Sequence, residues 1–205
     1  MRTTRATRAL GALTLGLALT LSACGNDDDV TGDTNAATST TEHNDADVAF
    51  ATDMIQHHAQ ALAMVDMTMN RTLDSEVRAL AEDIRAAQAP EIETMSDWLQ
   101  NWGEDVPETM RDHANAHNNG DLGGMEHGDM PGMMTEEDMT SLEGARDAQF
   151  QAMWLEMMIR HHEGAIEMAE AEQEDGRYKP ATDLARDIVA SQSNEIETMR
   201  KLLSS

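Results

Sequence analysis

Two stretches of the chain, MIQHHAQALAM at 54–64 and MIRHHEGAIEM at 158–168, each set a pair of adjacent histidines inside an otherwise apolar helical stripe. Neutral imidazole is a ligand for zinc, copper, iron or nickel, and thioether sulfur is a soft ligand that favours Cu(I). Both stretches carry both donors. Successive side chains on a helix diverge by about 100°, so one histidine of each pair is central and the other flanks it. His57 aligns with Met54, Ala61 and Met64, and His58 with Ile55, Leu62 and Val65. In the second stretch His161 aligns with Met158, Ala165 and Met168, and His162 with Ile159, Ile166 and Ala169. A single buried histidine is ordinarily a core group bonded to a neighbour. Two repeated pairs point instead to metal ligation, with His57, His58, His161 and His162 as principal ligands and Met54, Met64, Met158 and Met168 as soft partners.

Carboxylates follow the same repeat. Glu91 lies three residues after Gln88 and four before Met95, at the edge of an inner helical face, and Glu195 stands likewise between Gln192 and Met199. These two either bind the metal or orient its imidazoles, whereas Glu93 and Glu197 point to solvent. Di-iron bundles pair each histidine with a glutamate three residues earlier. None precedes these four histidines, so oxygen chemistry on such a centre becomes the weaker alternative. Methionine is abundant, at 17 of 205 residues; on helices it also serves as a pliable core filler. In the stretch HANAHNNGDLGGMEHGDMPGMM at 113–134 it gains little from packing. There His113, His117, His127, Met125, Met130, Met133 and Met134 could wrap a soft cation without a preformed site. No Ser-His-Asp order, phosphate-binding glycine loop or HExxH motif supports an enzyme.

Helices must position these residues. Asn44, followed by Asp45 and Asp47, caps a first helix. A second starts near Asp74 and carries Val77, Leu80, Ile84, Ile92, Met95 and Leu99, with Pro90 bending it. Residues 103–134 break the pattern. Thr135 opens a third helix running to about Glu174, with Gly176 as its stop, and Pro180 begins a fourth ending near Leu203. No alternating β-branched run competes, so the fold is all-α.

Composition narrows the setting. The net charge of −25 becomes −28 without Arg2, Arg5 and Arg8, with 11 basic against 39 acidic residues. That excludes nucleic acid as a partner. Residues 1–23 have a basic start and an apolar run from Ala9 to Leu21, an export signal too short for an ordinary membrane span. Leu21-Ser22-Ala23-Cys24 resembles the lipobox of bacterial lipoproteins, which implies that Cys24 carries lipid and anchors the chain outside the cytoplasm. Cys24 is the only cysteine, so there is no disulfide framework. Residues 24–43 lack apolar periodicity and form a disordered tether before a folded unit at 44–205.

An offset of 104 residues relates His57 to His161 and Glu91-Ile-Glu-Thr-Met95 to Glu195-Ile-Glu-Thr-Met199. Leu80, Ala81, Asp83, Ile84 and Gln88 match Leu184, Ala185, Asp187, Ile188 and Gln192 at the same offset. A duplicated helical hairpin buries its stripes best as a four-helix bundle with pseudo-two-fold symmetry. The two HH stretches and the Gln-x-x-Glu-Ile-x-x-Met segments resemble the bacterial "domain of unknown function 305" family over roughly 45–205. That resemblance implies a ferritin-like fold and, for some members, copper binding in the cell envelope. The expectation is a lipid-anchored copper-sequestering or buffering protein, with Cu(I) favoured and zinc or iron still open. Envelope copper-handling proteins are candidate partners, and the oligomeric state is undetermined. A ferritin-like oxidase and a metal-free interaction module are the alternatives. Protonation of the imidazoles should weaken metal binding as pH falls through about 6.

Overall fold

A computed structural model describes residues 38–109 and 130–205. Cys24, His113, His117, Met125 and His127 lie outside the described residues. Within them are five helices: α1 (Asp45–Asp66), α2 (Ser75–Trp102), α3 (Glu136–Gly144), α4 (Asp147–Asp175) and α5 (Lys179–Leu203). The fold is all-α, and among the described residues no helix is long and apolar enough to cross a membrane.

Asn44 caps α1 as its sequence requires. Its Oδ1 accepts from the amides of Ala46 and Asp47 at 3.1 Å each, and Asp47 Oδ2 accepts from the Asn44 amide at 2.7 Å. Asp74 precedes α2 but spends its side chain elsewhere. Gln151 of α4 donates to its carboxylate at 2.7 Å and accepts from its amide at 2.9 Å, tying the α1–α2 turn to α4. Helix α2 runs unbroken through Pro90 and ends at Gly103, whose φ of +81° places it in the left-handed region that favours glycine.

The third helix of the sequence divides in two. Thr135 does cap it, accepting from the Asp138 amide at 3.1 Å, but α3 stops at Gly144 and α4 starts at Asp147. Ala145 and Arg146 are extended between them. Arg71, in the turn after α1, causes the break: its guanidinium donates to the carbonyls of Glu143 and Ala145 and lies 4.1 Å above the Phe150 ring. Those carbonyls are the ones a helix end leaves unpaired. Gly176 ends α4 for a different reason from the one expected. Its φ is −69°, open to any residue, but a Cβ there would lie 2.2 Å from Glu172 Oε1.

Helices α1 and α2 form one hairpin and α4 and α5 the other; α1 packs on α4 and α2 on α5. The result is a four-helix bundle with α3 added against α4. Two separate apolar clusters fill it. One holds Ala61, Met64 and Val65 of α1, Leu80 and Ile84 of α2, Phe150, Trp154 and Met158 of α4, and Ile196 and Met199 of α5. The other holds Phe50, Met54 and Ile55, then Met95 and Leu99, Ala165 and Ala169, and Ala185 and Ile188. Each long helix passes from one cluster to the other, and the residues at the crossing are polar. Trp154, the largest buried side chain, donates Nε1 to the Met64 carbonyl at 3.0 Å and so locks α4 to α1 without leaving an unpaired donor.

Residues 39–43, expected at the end of a disordered tether, are bound to the bundle. Ser39 bridges Tyr178 in parallel, donating to the Arg177 carbonyl and accepting from the Lys179 amide at 2.6 Å each. The His43 ring stacks on Trp102 with centroids 4.4 Å apart. Asp47 extends this clasp, accepting from the amides of Arg177 and Tyr178. Replacing Asn44 by Ala removes the cap and the bond from Asn44 Nδ2 to the Asp175 carbonyl. Urea denaturation should show a loss of about 1–2 kcal/mol with an unchanged m value.

Candidate metal centre

The polar crossing between the two apolar clusters is made of His57 and His58 on α1, His161 and His162 on α4, Gln88 on α2 and Gln192 on α5. All six are buried, and the four histidines have no exposed surface. Glu91 and Glu195 close the layer at its edge, each about one-sixth exposed. The duplication is reproduced in three dimensions. His58 Nε2 lies 2.7 Å from Glu91 Oε2, and His162 Nε2 lies 2.6 Å from Glu195 Oε2. His57 and His161 face each other across the pseudo-dyad, ring centroids 3.8 Å apart and tilted by 42°.

Partner chemistry settles where the protons sit. The His57 Nε2 contact is the Pro131 carbonyl at 2.9 Å, which can only accept, so Nε2 carries the hydrogen in the neutral ring. Glu91 and Glu195 meet the Nε2 atoms of His58 and His162 in the same way. Three rings therefore direct Nε2 outward, and among the described residues their buried Nδ1 atoms have no hydrogen-bond partner. Both nitrogens of His161 are in the same condition. Burial pushes His57 down to about 3, reinforced by His58 and His162 against the opposing Pro131 bond. Burial first, then the imidazoles of His57, His162 and His58, also hold His161 well below its ordinary value. Both rings of the central pair are thereby held toward the neutral form. For His57 the value of about 3 lies well below the pH of about 6 at which protonation was expected to weaken metal binding.

A short strap covers the His57 side. Gln60 of α1 donates Nε2 to the Met134 carbonyl at 2.9 Å, and its Oε1 accepts from the Met134 amide at 2.7 Å. On α4 the strap lies directly on Gly164, where a Cβ would sit 2.0 Å from the Pro131 carbonyl oxygen; Gly132 meets it with φ +74°. Gln60 and Gly164 are the same repeat position, 104 residues apart. The strap thus crosses the α1–α4 seam, held by a side chain on one half and by the lack of one on the other.

The sequence candidates separate on this frame. His57, His58, His161 and His162 share one layer, with Met54 and Met158 fully buried one turn away. Met64 and Met168 do not belong to it. Seven residues separate each from His57 and His161, a rise of about 10 Å. Met64 lies in the Trp154 cluster. Met168 lines a groove of about 210 Å³ with Phe50, Asp53 and Glu172. Glu91 and Glu195 meet imidazole Nε2, the position of a group that orients a ligand rather than one that binds the ion. Met134 is buried, and its sulfur accepts from Arg160 at 3.0 Å; Met130 and Met133 are half-buried on the strap. Gln88, Gln192, Gln60 and Pro131 were not among the candidates. The 104-residue match of Gln88 with Gln192 was the available signal.

Among the described residues, no three imidazole, thiolate or carboxylate groups are gathered closely enough to hold an ion as they stand. The donor set nevertheless suits one. Its five orphaned ring nitrogens each cost about 1–3 kcal/mol when left unpaired, and imidazole with thioether is a borderline-to-soft combination.

A helical bundle with a buried histidine layer on its pseudo-dyad is the class of protein defined by this geometry. The sequence profile described as Domain of unknown function (DUF305) matches residues 47–203, and the chain belongs to that family. A DUF305 protein of Streptomyces coelicolor, described as secreted, is 34% identical with a TM-score of 0.65, over 78% of this chain and 92% of that one. A DUF305 fragment from Deinococcus radiodurans is 33% identical with a TM-score of 0.64, over 78% and 97%. CopM in its Cu(II)-bound form is 29% identical with a TM-score of 0.61, over 77% and 95%. CopM has also been solved with Cu(I) and with silver. No curated protein matches the chain.

Two outcomes follow from the metal-free geometry. An unfolded histidine binds a proton below about pH 6.5, whereas His57 resists protonation down to about 3. Stability is therefore full above pH 6.5 and falls as the pH drops below it, by up to roughly 1.4 kcal/mol per pH unit per histidine. The double variant H57L/H161L should flatten that slope between pH 6.5 and 4.5 in urea titrations. Gly164→Ala should lift the strap, and amide hydrogen exchange at Met134 should accelerate at least tenfold.

Proposed function

We propose that this protein binds copper outside the cytoplasm and acts as a sequestering or buffering protein rather than an enzyme. The observation that carries the reading is the layer of four buried imidazoles, three of which direct Nε2 to an outer acceptor and keep a buried Nδ1 that has no hydrogen-bond partner among the described residues. Histidine ligands of metals characteristically donate their other nitrogen to a carboxylate or a backbone carbonyl. Glu91, Glu195 and the Pro131 carbonyl provide those acceptors here.

His57, His58, His161 and His162 would hold the ion, with Met54 and Met158 as thioether neighbours. The bound copper would supply a Lewis acid with affinity for nitrogen and sulfur. Met130 and Met133 on the strap, with His113, His117, Met125 and His127 of the preceding loop, would offer a looser capture surface. The similarity to CopM, solved with Cu(II), Cu(I) and silver, supports a copper-group ion over zinc or iron. The export signal and Cys24 support a lipid-anchored position at the cell envelope, as does the similarity to a protein described as secreted. Envelope copper-handling proteins are the partners such a role would require.

Cu(I) competition against a chromophoric chelator, with Zn(II) and Fe(II) run beside it, tests the reading. Wild-type protein should take up Cu(I) selectively, and H57L/H161L should lose at least tenfold in affinity while its helical circular dichroism is retained. Equal metal uptake by the two proteins would reject histidine ligation.

A further inference from the structure

Gln88 and Gln192 stand at equivalent positions of the two halves, three residues before Glu91 and Glu195, and each is 2% exposed. Among the described residues neither polar atom of the Gln88 amide has a hydrogen-bond partner, and Oε1 of Gln192 has none. This is costly, since a buried amide atom left unpaired forfeits about 1–3 kcal/mol. Leucine or methionine would fill the same volume with no such loss. Gln60 shows how a buried glutamine in this bundle is satisfied when its role is architectural: both ends of its amide engage the Met134 backbone. Each orphaned glutamine stands where its helix crosses between the two apolar clusters, three residues, about one turn, before the glutamate that meets His58 or His162. They stand on α2 and α5, the helices that contribute no imidazole.

An amide oxygen is a neutral donor with two lone pairs and is harder than imidazole or thioether. In copper sites it serves as a weak additional ligand beside nitrogen and sulfur. Soft Cu(I) gains little from such an atom, whereas Cu(II) gains more. We propose that Gln88 and Gln192 are oxygen donors of the histidine layer and enable it to retain Cu(II) as well as Cu(I), an assignment that rests on the copper reading above.

The test compares wild-type protein with Q88L/Q192L, loaded separately with Cu(II) and Cu(I), in chelator competitions. Cu(II) affinity should fall at least tenfold while Cu(I) affinity stays within threefold. The electron paramagnetic resonance spectrum of the Cu(II) protein should change. The metal-free variant should melt at a higher temperature, because its orphaned amides are gone. Q88E/Q192E keeps an oxygen at each position and should hold Cu(II) at least as well as wild type; it also carries the test if the leucine variant fails to fold. Unchanged Cu(II) affinity in Q88L/Q192L, or equal losses for both oxidation states, overturns the assignment while leaving the copper reading in place. Wild-type protein that takes up neither ion overturns both.

Discussion

Four imidazoles enclosed in the middle of a helical bundle impose a condition that the remaining structure has to meet. Burial and the neighbouring rings hold His57 and His161 toward the neutral form; a neutral ring must have each nitrogen accounted for. The bundle meets that demand at three of the eight ring nitrogens. Glu91, Glu195 and the Pro131 carbonyl meet one Nε2 each, and the other nitrogens have no hydrogen-bond partner among the described residues. Apolar clusters above and below the layer keep the arrangement dry and fix its level, since each long helix is held on both sides of the crossing. The layer divides the hydrophobic core, and stability is surrendered at the point where ligand chemistry is concentrated.

The strap shows how a symmetric frame yields an asymmetric site. Each half of the duplication contributes the same histidines and the same orienting carboxylate, and the His58–Glu91 and His162–Glu195 contacts differ by only 0.1 Å. A single segment, however, connects the hairpins. It lies on the dyad in only one direction, so His57 gains the Pro131 carbonyl as a partner and His161 gains none from the strap. The two halves differ at the matching position, with Gln60 binding the strap and Gly164 admitting its backbone. An identical pair at that position would have either blocked the strap or left it unheld.

Much of this was legible in the sequence because it depends on local chemistry. Asn44 and Thr135 cap helices through side-chain bonds within three residues, and the 104-residue offset marks the duplicated hairpins without reference to contacts. The histidine layer follows from the same offset. Other features depend on atoms far apart in sequence. The break at Ala145 is made by Arg71, more than 70 residues away, so the helical stripe from Thr135 carries no sign of it. Periodicity assigns a residue to a face but not to a height along the axis. Met64 and Met168 were therefore grouped with histidines about 10 Å away. Gly176 was placed correctly for the wrong cause, because the crowding against it comes from a folded glutamate side chain rather than from a backbone angle. Gln88 and Gln192 lay in the repeat but resembled ordinary helix formers; only their burial without partners distinguishes them.

The fusion of the two hairpins has a consequence for how the layer depends on abundance. A site on a dyad needs both halves, and in a dimer of separate hairpins it would exist only at concentrations where two copies meet. Joining them in one chain replaces that encounter with an intramolecular one, at an effective concentration set by the connecting segment. The layer is then assembled in every molecule, however dilute. A scarce protein would keep its full complement of sites, and capacity would rise in direct proportion to the number of chains rather than with its square.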